Sequence, residues 1–105
     1  MPIKRHEPSK IYSKVVEANG FVYTAGIVAD DIKQDIKGQT QQILKEIDRL
    51  LHLAGADKSK VVSASIWVSD IRQRDAMNEA WIDWTGGENL PGRACVEAKL
   101  ADPRM

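Results

Sequence analysis

The dipeptide Asn19-Gly20 separates two runs rich in apolar residues, at positions 14–18 and 21–27. Asparagine and glycine both tolerate the positive φ angles of a type I′ turn, so this two-residue loop is the strongest short-range signal for a β-hairpin. The cross-strand pairs that the loop predicts are Ala18 with Phe21 and Val16 with Tyr23. The chain is therefore predicted to start with antiparallel strands, and residues 3–7 are predicted to add one more.

The hydrophobic period becomes helical from Asp35 onward. Eight side chains, nearly all apolar, follow the i, i+4, i+7, i+8 spacing of one buried stripe: Ile36, Thr40, Ile43, Leu44, Ile47, Leu50, Leu51 and Ala54. Asp35 is a suitable N-cap, and Gly55 stands where a glycine commonly follows a helix C-terminus. The pattern predicts a long helix that buries one face.

Residues 61–69 alternate as a strand does, and a second helix is predicted after them. One strand face is apolar, with Val62, Ala64, Ile66 and Val68, and the other carries Ser63, Ser65, Trp67 and Ser69. Asp70 and Gln73 suggest a capping box before the helix, and Gly86-Gly87 ends it. The helix spacing of Met77, Ala80, Trp81 and Trp84 predicts that both tryptophans lie in the core.

The stretch Leu90–Leu100 contains the last predicted strand and the first candidate for chemistry. After a turn at Pro91-Gly92, the residues Ala94, Val96, Ala98 and Leu100 alternate with Arg93, Cys95, Glu97 and Lys99. The alternation predicts that the small apolar face packs on the helices and that the face with Arg93 stays open. An arginine here can hold a carboxylate or phosphate through two parallel hydrogen bonds, although a plain exposed arginine at a strand start is as common.

Composition narrows the classes of function. The 105 residues suffice for one domain, predicted to span 1–105. Basic and acidic residues number 15 each, and the resulting zero net charge does not favour a general binder of nucleic acid or acidic membranes. We expect a cytoplasmic protein, since no apolar run approaches ~20 residues and the N-terminus has no signal-peptide core. A single cysteine and two isolated histidines predict neither a disulfide nor a metal site.

The predicted order of elements is β-β-β-α-β-α-β, an α+β chain with a mixed sheet and two helices on one face. Within one chain, the other sheet face would then be uncovered, and we expect it to carry Arg93, Cys95, Glu97 and the strand serines. Copies of the chain packing around this half-polar face would explain it. Clefts between subunits would be the natural ligand sites.

Four segments, in this order, resemble the RidA/YjgF family of reactive-intermediate deaminases: IYSKVVEANGFVYTAG, GADKSKVVSASIWVSD, AMNEAW and PGRACVEAKLADP. The resemblance extends over essentially the whole chain. It implies a chorismate-mutase-like fold, a homotrimer and ligand sites between adjacent subunits. It also implies hydrolysis of 2-imino or 2-amino-enoic acids, such as 2-iminopropanoate or 2-iminobutanoate, to 2-keto acids and ammonia, with no cofactor.

The resemblance also assigns residues to the site. The family's carboxylate-binding arginine falls on Arg93 and its cleft tyrosine on Tyr12, which makes both of them candidate catalytic residues. The substrate-binding positions that it implies are Gly26, Asn78, Ala94 and Cys95.

Two features depart from the family pattern. The residue before Gly26 is Ala25, where the family has a serine. Many members also continue into one more strand, whose glutamate positions water, and that strand would begin near Met105. Either the natural chain continues into this strand, or the water-positioning step of the family is missing. We expect a continuation, because the loss of an outermost strand would expose a sheet edge. Glu97 is not expected to replace this glutamate, because four residues along a strand place it about 13 Å from Arg93.

Three functions stay open at this point. The first is the imine and enamine deaminase. The second is a non-catalytic trimer that binds small carboxylates as a sensor or scavenger, a hypothesis to which Ala25 and the missing glutamate lend weight. The third is an endoribonuclease or translation inhibitor, a description often attached to the family. The zero net charge and the lack of a histidine or lysine constellation beside Arg93 argue against it.

Overall fold

The hairpin at Asn19-Gly20 forms as predicted. The structure is a computed structural model that describes residues 2–105, and both turn residues have positive φ angles, +55° at Asn19 and +79° at Gly20. The predicted pairs are confirmed, with Ala18 opposite Phe21 and Val16 opposite Tyr23. The hairpin strands are β2 (Ser13–Ala18) and β3 (Phe21–Thr24), and β1 (Ile3–Pro8) pairs antiparallel with β2.

The other elements follow in the predicted order. They are α1 (Ile36–Leu53), β4 (Ser63–Val68), α2 (Arg74–Thr85) and β5 (Gly92–Glu97), with short 3₁₀ turns at Lys58–Lys60 and Ile71–Gln73. The α+β class and the order β-β-β-α-β-α-β are therefore confirmed. Neither helix found among residues 2–105 combines the length and apolar character needed to cross a membrane.

Helix α1 begins and ends where the sequence indicated. The Asp35 carboxylate accepts a hydrogen bond from the backbone N–H of Gly38 at 2.8 Å, which satisfies one of the free donors of the first turn. After Leu53 the chain leaves the helix, and Gly55 adopts a φ of +76°. The strongly buried residues include Leu44, Leu50 and Leu51 of the predicted stripe.

The predicted capping box at the start of the second helix is wrong. Asp70 caps the 3₁₀ turn instead, accepting a hydrogen bond from the backbone N–H of Arg72 at 3.0 Å. Helix α2 begins only after this turn, and its N-cap residue Gln73 makes no side-chain capping bond. Because this 3₁₀ turn lies between Asp70 and α2, the Asp70 side chain does not cap the first turn of α2. The helix ends as predicted at Gly86, which has a φ of +65°.

Strands β4 and β5 form a parallel pair whose register corrects the predicted faces of β5. Ala64 pairs with Arg93 and Ile66 with Cys95. Because paired residues of neighbouring strands point to the same face, Arg93 and Cys95 lie on the helix side with Ala64 and Ile66. Ala94, which was predicted to pack on the helices, is exposed on the opposite face. That open face also carries Ser63, Ser65, Trp67 and Val96.

Both helices pack against one face of the β4–β5 pair. Leu44 of α1 joins Met77 and Trp81 of α2 in the buried cluster, and Ile66 and Cys95 pack against it from the strands. Trp81 is buried as predicted, with 9% of its surface exposed. Trp84 is only half buried and lies between the helices, where its Nε1 donates to Asp48 Oδ1 at 3.1 Å.

A groove of about 1710 Å³ separates the β1–β2–β3 sheet from the β4–β5 pair. Strands β3 and β4 line it, together with the inner face of α1, and Met105 lies at its border. Three isoleucines of the predicted helix stripe face this groove and are consequently only half buried: Ile36, Ile43 and Ile47.

Candidate functional site

The turn at Pro91-Gly92 delivers Arg93 to the start of β5. The backbone N–H of Gly92 donates to the carbonyl of Val62 at 3.1 Å, which ties the first residue of β5 to the segment before β4. Arg93 is exposed at this end of the strand, whereas Cys95, two residues further on the same face, is half buried beneath the helices. On this face, strand β5 therefore begins with the charged Arg93 side chain, and the small Cys95 side chain follows it.

The Arg93 guanidinium lies over the indole of Trp81. Its Cζ atom is 5.2 Å from the ring centroid, within the ~6 Å range of a cation–π contact. None of its N–H groups donates to another group among residues 2–105. Its planar fork is consequently available for an external acceptor.

Three other arginines of the chain bind carboxylates. Arg49 bonds both Glu7 and Glu46, Arg72 bonds Asp70, and Arg104 bonds Asp102. These contacts lower the pKa of each carboxyl group, and for Asp102 the value falls to about 2 because Arg104 donates to it. Arg93 differs from these three arginines, because it contacts an aromatic ring and no carboxylate of residues 2–105.

Asn78 lies on α2, one helical turn before Trp81, and is half buried. Its Oδ1 atom is fully enclosed, yet no hydrogen-bond donor reaches it from residues 2–105. A buried amide oxygen without a donor is costly and uncommon in folded proteins. A ligand N–H group or a water molecule could satisfy this acceptor only after the side chain moves.

The remaining predicted residues lie elsewhere in the chain. Tyr12 is half exposed in the connection between β1 and β2, on the other sheet from Arg93. Gly26 follows β3 and borders the groove. Ala94 occupies the open face of β5, opposite to Arg93. The structure thus places Arg93 and Cys95 on one face, near the helix that carries Asn78, and separates Tyr12, Gly26 and Ala94 from them.

The acidic side chain of β5, Glu97, makes a contact of its own. Glu97 is on the same face of β5 as Arg93, but its Oε1 accepts a hydrogen bond from the backbone N–H of Ile71 at 3.1 Å. It therefore caps the 3₁₀ turn before α2. Among residues 2–105, no group of three or more histidine, cysteine or acidic side chains is arranged to hold a metal ion.

Comparison with known proteins gives the chain a family. The family model described as Endoribonuclease L-PSP matches residues 2–105. A RutC family protein of Haemophilus influenzae is 40% identical over 104 residues, which cover 98% of this chain and 90% of the relative. A RutC family protein of Haemophilus ducreyi is 39% identical over 101 residues, with 96% and 86% covered. The chain belongs to the RutC/YjgF family.

Solved structures of the RutC/YjgF family share this fold. A YjgF family member from Neisseria meningitidis superimposes with a TM-score of 0.94 at 36% identity, over 99% of this chain and 87% of that one. An uncharacterised protein from Pseudomonas aeruginosa gives a TM-score of 0.93 at 39% identity, over 98% and 90%. The predicted family and the chorismate-mutase-like α+β fold are thereby confirmed.

Sequence reasoning missed one feature of this RutC/YjgF site, the contact between Trp81 and Arg93. Trp81 was assigned to the core alone, because its helical spacing explains its burial without a further role. The signal that could have placed Arg93 next to Trp81 is the pairing register of β4 and β5, which puts Arg93 and Cys95 of β5 on the helix side. This register cannot be predicted from the sequence of β5 alone, because small residues occur on both of its faces.

Proposed function

We propose that this chain hydrolyses 2-imino and 2-amino-enoic acids to 2-keto acids and ammonia, as a homotrimer with its sites in clefts between subunits. The observation that carries this proposal is Arg93, whose guanidinium has no carboxylate partner among residues 2–105 and lies over the Trp81 ring. Such a fork is shaped to bind the carboxylate of a small acid through two charge-assisted hydrogen bonds. Membership of the RutC/YjgF family is consistent with it.

The reaction needs little chemistry from the protein. A protonated imine next to a carboxylate is a strong electrophile at its C2 atom. Water adds to C2, the resulting carbinolamine loses ammonia as the C–N bond breaks, and the oxygen remains as the keto group. The protein has to anchor the acid, orient the imine and place one water, so positioning supplies most of the acceleration.

Each proposed role uses a feature of a named residue. Arg93 binds the substrate carboxylate. Asn78 carries an enclosed Oδ1 acceptor with no donor from residues 2–105, and it would accept a hydrogen bond from the iminium N–H or from the water once the side chain turns into the site. Cys95 packs against the buried cluster behind Arg93, where its small side chain supports the site from below. Tyr12, which lies on the other sheet of its own chain, would come from the adjacent subunit and polarise the water through its hydroxyl.

The test is a coupled assay in which an amino-acid oxidase or a pyridoxal lyase generates the imine and keto-acid formation is followed. We expect the protein to accelerate formation and Arg93→Ala to remove most of this acceleration. Arg5→Ala is the matched control, because Arg5 is an exposed strand arginine without an ion pair among residues 2–105. An Arg93→Ala variant that stays folded and fully active would refute the proposed clamp.

A second candidate is a non-catalytic trimer that binds small carboxylates. It is favoured by the engagement of Glu97 with the Ile71 N–H, which leaves the Arg93 site without a free carboxylate base from β5. Tight 2-keto acid binding in calorimetry without acceleration would support it. RNA cleavage by a nuclease-free preparation would instead support the endoribonuclease activity that the family description names.

A further inference from the structure

We propose that Trp81 is a positioning residue, whose indole holds the Arg93 guanidinium ready for the substrate carboxylate. The inference rests on the proposed function, since it assigns a second residue to the same site. The Arg93 Cζ atom is 5.2 Å from the Trp81 ring centroid, and no other group among residues 2–105 accepts a hydrogen bond from this guanidinium. The ring is therefore the contact that can orient it.

An exposed arginine at a strand start would otherwise sample many rotamers. Binding a carboxylate through two parallel bonds requires one of them, so an unconstrained side chain loses conformational freedom on binding. A ring that attracts the cation through its face leaves the N–H groups at the guanidinium edge free. The side chain is thus ordered before the ligand arrives, and its donors remain available.

Trp81 itself is rigidly held. Only 9% of its surface is exposed, and it packs in the cluster with Leu44 and Met77. The neighbouring Trp84 ring lies 5.5 Å away, with a 49° angle between the ring planes. Because the Trp81 ring is held in one position, its contact also restricts the position of the Arg93 guanidinium. A mobile surface aromatic would not do this.

The experiment is a double-mutant cycle that combines changes at Trp81 and Arg93. Calorimetry measures the affinity for 2-oxobutanoate, and the coupled assay gives KM and kcat. Trp81→Leu keeps an apolar side chain and removes the ring. We expect it to weaken 2-oxobutanoate binding and raise KM by about 3- to 30-fold, the range of a cation–π contact, with a smaller change in kcat. In the Arg93→Ala background, the same change should alter affinity less than about 2-fold, because the partner is gone.

Two further variants separate positioning from packing. Val15→Ala is the control for packing, since Val15 is fully buried in β2 and lies outside the cluster that contains Trp81. It should lower stability and leave 2-oxobutanoate affinity unchanged. Trp81→Phe keeps an aromatic face and should restore most of the affinity, and it serves as the test variant if the leucine variant does not fold.

The outcomes are distinct. Equal losses of affinity from Trp81→Leu with and without Arg93 would show that Trp81 acts through packing alone, which overturns the inference. An Arg93→Ala variant that binds 2-oxobutanoate as well as the wild type would overturn the proposed clamp itself. A strong effect of Arg93→Ala with none from Trp81→Leu or Trp81→Phe would leave the clamp standing and reject only the role of Trp81.

Discussion

Gln39 of α1 donates a hydrogen bond to the main-chain carbonyl of Arg104, with an N–O distance of 2.5 Å across 65 positions of sequence. The same amide nitrogen lies 2.9 Å from the carbonyl oxygen of Gln34 and 3.2 Å from that of Ile32. Gln39 is 4% exposed, so these bonds are made away from water. One side chain therefore connects the C-terminal segment, the loop before α1 and the helix.

We expect Gln39→Leu to lower the free energy of unfolding by about 1–3 kcal/mol, because it leaves part-buried carbonyl groups without this donor. Urea denaturation followed by circular dichroism measures this. Gln41→Leu is the matched control, since Gln41 is exposed on the same helix. If both leucine variants lose the same stability, the bonds of Gln39 contribute nothing beyond the change in the helix surface.

The sequence predicts the local elements of this fold well, because each has its own chemical signal. The positive φ angles at Asn19-Gly20 and the cap at Asp35 need only neighbouring residues, and both form as predicted. Gln39 carries no such signal. Its partners are main-chain carbonyls, and Arg104 comes close only after the chain has folded.

The faces of β5 were predicted wrongly for a related reason. Alternation divides a strand into two sets of residues, but only the packing partner decides which set points to the helices. Both sets contain small residues, and Val96 suggested a buried face that is in fact open. The pairing of Ile66 with Cys95 decides which residues of β5 face the helices, and this pairing is a contact between two strands. Arg93 is thus a candidate that the sequence indicates, whereas its neighbour Trp81 enters only through the structure.

Ion pairs between the β1–β2 region and α1 predict a pH dependence of stability. The Arg49 guanidinium bonds Glu7 and Glu46 and holds the pKa of both carboxyl groups below their ordinary value of 4.5. Because the folded-state pKa is lowered, the stabilisation is present at neutral pH and is lost as the pH falls below about 4.5. These groups are largely solvated, so salt should weaken the effect.

We expect Arg49→Gln to flatten the fall in urea midpoint between about pH 5 and pH 3, because the glutamates then have similar pKa values in the folded and unfolded chain. The urea midpoint is measured at several pH values and at two salt concentrations. Arg5→Gln serves for comparison, since Arg5 has no ion pair among residues 2–105. An acid-induced fall that is unchanged in Arg49→Gln contradicts the assigned linkage.

The open face of the β4–β5 pair predicts an effect on assembly. Trp67 and Val96 are 54% and 47% exposed on this face, which also carries Ser63 and Ser65. If copies of the chain pack here to form the proposed homotrimer, a charge at Trp67 would be buried without a partner. We expect wild-type protein to have the mass of a trimer in light scattering and Trp67→Glu to have a lower mass.

Gln41→Glu controls for the added charge on an exposed helix position. It should leave the mass at that of the wild type. A wild-type monomer at micromolar concentration contradicts both the assembly and the site between subunits. A Trp67→Glu protein that keeps the trimer mass places the interface on another surface.

The last prediction separates the shape of Arg93 from its charge. Arg93→Lys keeps the positive charge and can still lie over the Trp81 ring, but it replaces the planar fork by a point charge on a flexible stem. We expect this variant to lose kcat/KM for imine hydrolysis by at least ~10-fold, about 1.4 kcal/mol of transition-state stabilisation. Arg93→Ala should lose more and also uncover one face of Trp81, so its stability is measured alongside its activity. A lysine variant with wild-type kcat/KM would mean that positive charge alone suffices and that no bidentate clamp operates.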